Sequence, residues 1–135
     1  MPLDLSIGHA TQAGKRERNE DFCGIVTPEG AELAARGAML AVADGVSGNG
    51  EGREAAEYAV RGLLADYYAT PETWEVPLAI ERVLSAINRW LISQRVADKS
   101  QAGMATTLSV LCCGGTAIIW VTSAIRASTA CASRN

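Results

Sequence analysis

The 135-residue chain is poor in the groups that most often mark a site. It has a single histidine, His9, and a single phenylalanine, Phe22. A lone histidine has no metal partner of its own kind, so His9 is read as a structural or surface residue. The four cysteines are Cys23, Cys112, Cys113 and Cys131. Their spacing fits no zinc pattern, and adjacent cysteines rarely build a disulfide framework. A reducing, cytoplasmic setting is therefore expected. No basic stretch followed by an apolar one opens the chain, so no secretory signal is expected. No repeat or low-complexity segment is visible. The chain has no acid after Asp98. A net charge of −3 gives no reason to expect nucleic acid or an anionic membrane as a partner. An apolar fraction of 48% and a charged fraction of 20% describe a globular protein with enough residues for one core.

What is present centres on Met39 to Gly50. The uncharged run Ala38–Ala43 is short enough for a buried strand. It stops at Asp44, which then sits at the strand's C-terminal end. Gly45, Gly48, Gly50 and Gly52 follow, and they permit backbone shapes closed to other residues. A carboxylate fixed on a strand beside a backbone carbonyl is a good ligand pair for a hard cation. Taken alone, Asp-Gly is an ordinary turn signal, so the reading needs partners elsewhere.

A candidate partner lies upstream. Lys15 to Asp21 packs three cations and three acids into seven residues. Such a run is usually a solvated turn. Here Glu20 and Asp21 lead directly into the apolar Phe22–Val26, so they stand at the lip of a core strand. Arg16 is close enough in sequence to fold over the same mouth, and its guanidinium offers a planar fork for phosphate.

The remaining elements are framework. Leu3, Leu5 and Ile7 alternate with polar residues, which predicts a strand. Thr27–Gly37 reads as a loop with a helical turn. Glu51–Ala69 reads as a helix with Ala56, Ala59, Val60, Leu63, Leu64 and Tyr67 on its core face. A second helix is predicted from near Pro77 to near Ala97, with Val76, Ile80, Val83, Leu84, Ile87, Trp90 and Leu91 as its stripe. Gly103–Val110 reads as a strand carrying a buried threonine pair.

Three segments together resemble the PPM-type, or type 2C, metal-dependent protein serine/threonine phosphatases of bacteria. Arg16–Asp21 matches their Arg-x-x-Asn-Glu-Asp pattern. Asp44–Gly48 resembles Asp-Gly-x-Gly-Gly, with Ser47 in the first glycine place. Gly103–Thr107 resembles their Gly-x-x-x-Thr strand. The resemblance implies an α+β fold: an α-β-β-α sandwich of two antiparallel sheets flanked by helices, here incomplete. It implies two Mn²⁺ or Mg²⁺ ions, with Asp44 and the Gly45 carbonyl as metal ligands and Glu20 and Asp21 acting through metal-bound water. Arg16 would hold the phosphate of a phosphoserine or phosphothreonine protein. A serine/threonine kinase, fused or separate, is an expected partner. A histidine that some members carry soon after Asp-Gly is missing here, where Val46, Ser47 and Gly48 stand.

The family's later acidic ligands are missing as well. Residues 1–110 are expected to be the N-terminal part of the phosphatase domain, and 111–135 an out-of-frame tail. Regrouping codons so that each takes the third base of one residue and the first two of the next permits Cys112–Asn135 to read Val-Leu-Arg-Arg-His-Gly-Asp-Tyr-Leu-Gly-His-Val-Gly-Asp-Ser-Arg-Val-Tyr-Arg-Leu-Arg. That string holds the Gly-Asp-Ser-Arg expected of the family. The chain itself is then expected to be an impaired or inactive phosphatase. Two other classes compete. One is a catalytically dead interaction module of the same fold. The other is a tail-anchored membrane protein, because Gly103–Ile125 is uncharged and long enough to span a bilayer. Gly114-Gly115 and the β-branched content favour a strand pair there.

Overall fold

The structure is a computed structural model, and it describes residues 4–14, 19–46, 52–97, 105–114 and 117–126. Seven elements follow in order: β1 (Asp21–Val26), α1 (Gly30–Arg36), β2 (Ala38–Val46), α2 (Gly52–Ala69), α3 (Val76–Ala97), β3 (Ala105–Cys113) and β4 (Ile118–Arg126). The four strands form one antiparallel sheet in chain order. The fold is α+β, with the helical pair laid on one face of the sheet.

Alternation decides which face is covered. On β2, Met39, Ala41 and Ala43 are fully or almost fully buried, while Val42 between them is 55% exposed. Their neighbours on β3, Leu108, Val110 and Cys112, point the same way, as does Ile125 on β4. Helix α2 lies across β1, β2 and β3, and α3 packs beside it and reaches β4. Ala55, Ala56 and Ala59 make the contact face of α2 thin enough to approach the sheet, and Val60, Leu63 and Tyr67 fill the space beyond. From α3, Ile80, Val83, Leu84, Ile87 and Leu91 complete the same core. The 3.6-residue spacing of both helices is the cause: it collects these side chains on one side. Truncating a fully buried leucine such as Leu63 to alanine costs about 2–5 kcal/mol in cores of this kind. Trp90, expected in the stripe, sits at its margin at 37% exposure and stacks on Tyr58, with ring centroids 3.6 Å apart.

The connection from β1 to β2 contains α1, which ends at Gly37. That residue has φ of 74°, and its N–H closes the helix onto the Leu33 carbonyl. A left-handed glycine is the usual helix stop. Arg36, at 3% exposure, is buried beneath the exit of α2. It donates to the carbonyls of Thr70 and Trp74 and to that of Pro71. Carbonyls past a helix end lack intrahelical partners, and a cation there also suits the dipole. Tyr67 returns the link by donating to the Arg36 carbonyl at 2.7 Å.

Leu3 lies outside the described residues, and the region from 4 to 14 forms no strand, contrary to the alternation through Leu5 and Ile7. Leu5 is 37% exposed, and no strand of the described sheet pairs with it. Alternation makes a strand only where an edge receives it. The uncharged stretch expected to be a strand pair is one: β3 and β4 form a hairpin, closed by Gly114 N–H donating to the Ala117 carbonyl. No helix among the described residues is long and apolar enough to cross a membrane. Position 110, the expected end of the in-frame region, lies inside β3.

A carboxylate pair at one end of the sheet

The site residues meet where β1 begins and β2 ends. In the antiparallel ladder Asp21 is the direct partner of Asp44, and Asp44 is in turn the partner of Thr107 on β3. Direct partners project to the same face. Asp21, Asp44 and Thr107 thus form one row on the face opposite the helices. Asp44 and Thr107 are exposed, and Asp21 is half-buried. The two carboxylates come from strands 23 residues apart in sequence and are placed side by side by register alone. Asp44 does not end its strand, which continues through Gly45 to Val46.

Glu20 and Gly45 extend the ladder by one step, with Gly45 N–H donating to the Glu20 carbonyl at 3.1 Å. Gly45 is required by space. A Cβ there would lie 1.9 Å from the Gly52 carbonyl oxygen and 2.7 Å from that of Glu20. Its backbone is not left-handed, since positive φ among the described glycines is confined to Gly14, Gly30 and Gly37. The missing side chain lets the first turn of α2 settle against the strand end. Gly52, Gly45 and Glu20 are thereby locked into one corner.

Asn19 ties the acidic lip together. Its Oδ1 accepts the Asp21 N–H at 3.0 Å, and its Nδ2 donates to Thr11 Oγ1 at 2.9 Å. Its carbonyl accepts a long hydrogen bond from Arg53 Nη1 at 3.5 Å. Arg53 and Arg61, one face of α2, hold their guanidinium groups 5.8 and 5.7 Å from the Phe22 ring centre. This is cation–π range. Two cations therefore flank the start of β1, and one of them, Arg53, reaches the carbonyl of Asn19, whose side chain accepts the Asp21 N–H. Sequence reasoning assigned no role to Asn19 or Arg53. The only available signal for Asn19 was its place between Arg16 and Glu20; for Arg53 there was none.

Arg16, Ser47, Gly48 and Gly50 lie outside the described residues. So does Gly103, ahead of β3. The expected threonine pair divides, because Thr106 is buried and Thr107 faces out, as strand alternation requires. His9 is exposed, with Nδ1 3.3 Å from Cys23 Sγ, which agrees with a surface role.

The donors gathered here are oxygens, the type that hard divalent cations prefer. Among the described residues no group of three or more His, Cys, Asp or Glu side chains is close enough to hold an ion. The donor chemistry suits such a cation, while the described set stops at a facing pair of carboxylates with Glu20 and the Gly45 backbone beside it.

No family model matches the chain, and no curated protein does either. Solved structures do. The chain is similar to the Mycobacterium tuberculosis serine/threonine phosphatase PstP/Ppp, with a TM-score of 0.61 and 23% identity, over 79% of this chain and 41% of that one. The catalytic domain of PstP in complex with two manganese ions gives a TM-score of 0.61 and 23% identity, over 80% and 42%. A bacterial serine phosphatase variant gives 0.63 and 20%, over 80% and 48%. The chain spans less than half the length of each. At these identities the likeness is one of fold, and the fold of this chain is that of the bacterial PPM-type serine/threonine phosphatases.

Proposed function

We propose that the chain carries the first part of a metal-dependent protein serine/threonine phosphatase site, and that by itself it is impaired or inactive. The observation that carries the reading is the cross-strand pairing of Asp21 with Asp44, with Glu20 and Gly45 one step along. Asp44 and the Gly45 carbonyl would hold a divalent cation, Mn²⁺ or Mg²⁺, and Glu20 and Asp21 would hold its waters. What a pair of such ions supplies when bound is a water acidic enough to attack phosphorus at neutral pH. The residues of this chain do the rest. Asn19 fixes the Asp21 backbone, Gly45 brings α2 against the strand end, and Arg16 receives the phosphate of a phosphoserine or phosphothreonine protein. A serine/threonine kinase, fused or separate, would supply that substrate.

Residues 111–135 are assigned to an out-of-frame tail. Reading the gene across this stretch tests the assignment: the expected result is a second frame encoding Gly-Asp-Ser-Arg, and a gene with no such frame removes it. The functional reading is tested by assaying Mn²⁺-dependent release of phosphate from a phosphothreonine peptide. This chain should release little or none. A version continued in the alternative frame should be active, and should lose activity on Asp44→Asn. A continued version that binds Mn²⁺ tightly yet releases no phosphate would favour a non-catalytic module of the same fold.

A further inference from the structure

Residues 4–14 make no strand, yet two side-chain contacts hold this segment against the start of β1. His9 Nδ1 lies 3.3 Å from Cys23 Sγ, and Asn19 Nδ2 donates to Thr11 Oγ1 at 2.9 Å. The partners step back from Cys23 to Asn19 as the segment advances from His9 to Thr11, so it runs antiparallel to the chain entering β1. The second contact falls on the residue that holds the acidic lip. Asn19 Oδ1 accepts the Asp21 N–H at 3.0 Å. A backbone N–H can only donate, so it fixes which end of the Asn19 amide faces β1 and leaves Nδ2 for Thr11. Glu20, between the two, has its carbonyl held by the Gly45 N–H. The turn from Asn19 to Asp21 is thus gripped from β2 on one side and from the 4–14 segment on the other.

We infer, on the metal reading of Asp21 and Asp44 proposed above, that Thr11 is a positioning residue for the carboxylates. Through Asn19 it holds the turn that presents Glu20 and Asp21 beside Asp44. Thr11 touches neither acid in this role. It acts by ordering the Asn19 amide before an ion arrives, so that binding need not supply the order. That matters most at a site of few donors, because a divalent ion gives up its hydration only to ligands already in place. The effect is bounded by the strength of one neutral hydrogen bond at an exposed position. It corresponds to a roughly two- to fivefold change in ion affinity.

Amide NMR of the isotopically labelled full chain, titrated with Mn²⁺, tests this without any assay of activity. A paramagnetic ion broadens the amides nearest to it, so even weak binding is readable. In the parent, the Asp21 and Asp44 amides should broaden first. Thr11→Val keeps the shape of the side chain and removes the hydroxyl. It should raise the Mn²⁺ concentration for half-broadening roughly two- to fivefold, and Thr11→Ser should restore the parent value. Asn19→Ala should weaken binding at least as much. Adding Thr11→Val to it should change nothing further, since Thr11 acts only through Asn19. Without metal, the Asp21 amide should exchange faster in Thr11→Val while the amides of Val42 and Leu108 keep their rates. Thr11 is exposed, so the urea midpoint should stay at that of the parent. An unchanged Mn²⁺ dependence in Thr11→Val, an equal loss in Thr11→Ser, or further weakening in the double variant overturns the inference. So does a lowered urea midpoint with faster exchange throughout the sheet, which would make Thr11 purely structural. Localised broadening that ignores Thr11 overturns this inference alone. No localised broadening in the parent overturns the metal reading, and this inference with it.

Discussion

Asp21 and Asp44 are direct partners across the β1–β2 ladder, two carboxylates on one face of a sheet end. Like charges placed opposite each other cost a few tenths of a kcal/mol to ~1 kcal/mol in an antiparallel pair. A cation between them would offset that cost, as the proposed metal site requires.

Asp44→Asn should separate binding from stability. It should remove whatever Mn²⁺ binding the chain retains, which is itself expected to be weak, because a divalent ion holds its own hydration well against so few donors. It should also raise metal-free stability by about 0.5 kcal/mol. Titration calorimetry and urea denaturation of the same two proteins check both signs. Tight two-ion binding by the unmodified chain would refute the first expectation.

Gly45→Ala should be severe for a one-carbon change. The added Cβ meets backbone oxygens of Gly52 and Glu20, and neither can swing aside as a side chain would. Overpacking of this kind costs about 1–3 kcal/mol and sometimes more. A urea midpoint within error of the parent would show that the α2 corner yields more easily than its geometry suggests.

Alkaline pH should weaken the fold through the cluster beneath α1. Burial pushes the Tyr67 hydroxyl up, with its hydrogen bond to Cys112 adding to the effect. Burial also raises Tyr68 and Cys112. A raised value in the folded state means the unfolded chain loses those protons first. Their contribution is therefore fully present below the ordinary thiol value of 9.0 and falls as pH climbs through it and past the ordinary tyrosine value of 10.0. Denaturation midpoints between pH 8 and 11 should decline, and Tyr67→Phe should flatten part of the decline.

Arg16→Ala, made in an active continued version of the domain, should chiefly weaken capture of the phosphorylated substrate. Loss of a charge-assisted hydrogen bond costs on the order of 1.5–3 kcal/mol. Arg16→Lys should recover only part, because an ammonium cannot grip two oxygens in one plane. Unchanged KM for a phosphopeptide in Arg16→Ala would remove this residue from the site.

The sequence by itself determined the local elements. The helical spacing of Ala56, Val60, Leu63 and Tyr67, and that of Ile80, Val83, Ile87 and Leu91, defined α2 and α3, because period and composition are local properties of the chain. The uncharged run before Asp44 marked β2, and the threonines and valine of Gly103–Val110 marked β3. The sequence also identified Glu20, Asp21, Asp44 and Gly45 as candidates, since acids bordering apolar runs stand out. Tertiary structure decided everything that depends on register and approach. Only pairing puts Asp21 opposite Asp44. Only the nearness of Gly52 shows that Gly45 must lack a side chain for space and not for its φ. Arg36, an unremarkable charge in the sequence, became a buried link to the carbonyls beyond α2, because chain reversal brought Thr70 and Trp74 above it. Leu5 and Ile7 had the alternation of a strand and, among the described residues, found no edge to join, since a strand's hydrogen bonds are made to residues its own sequence does not contain.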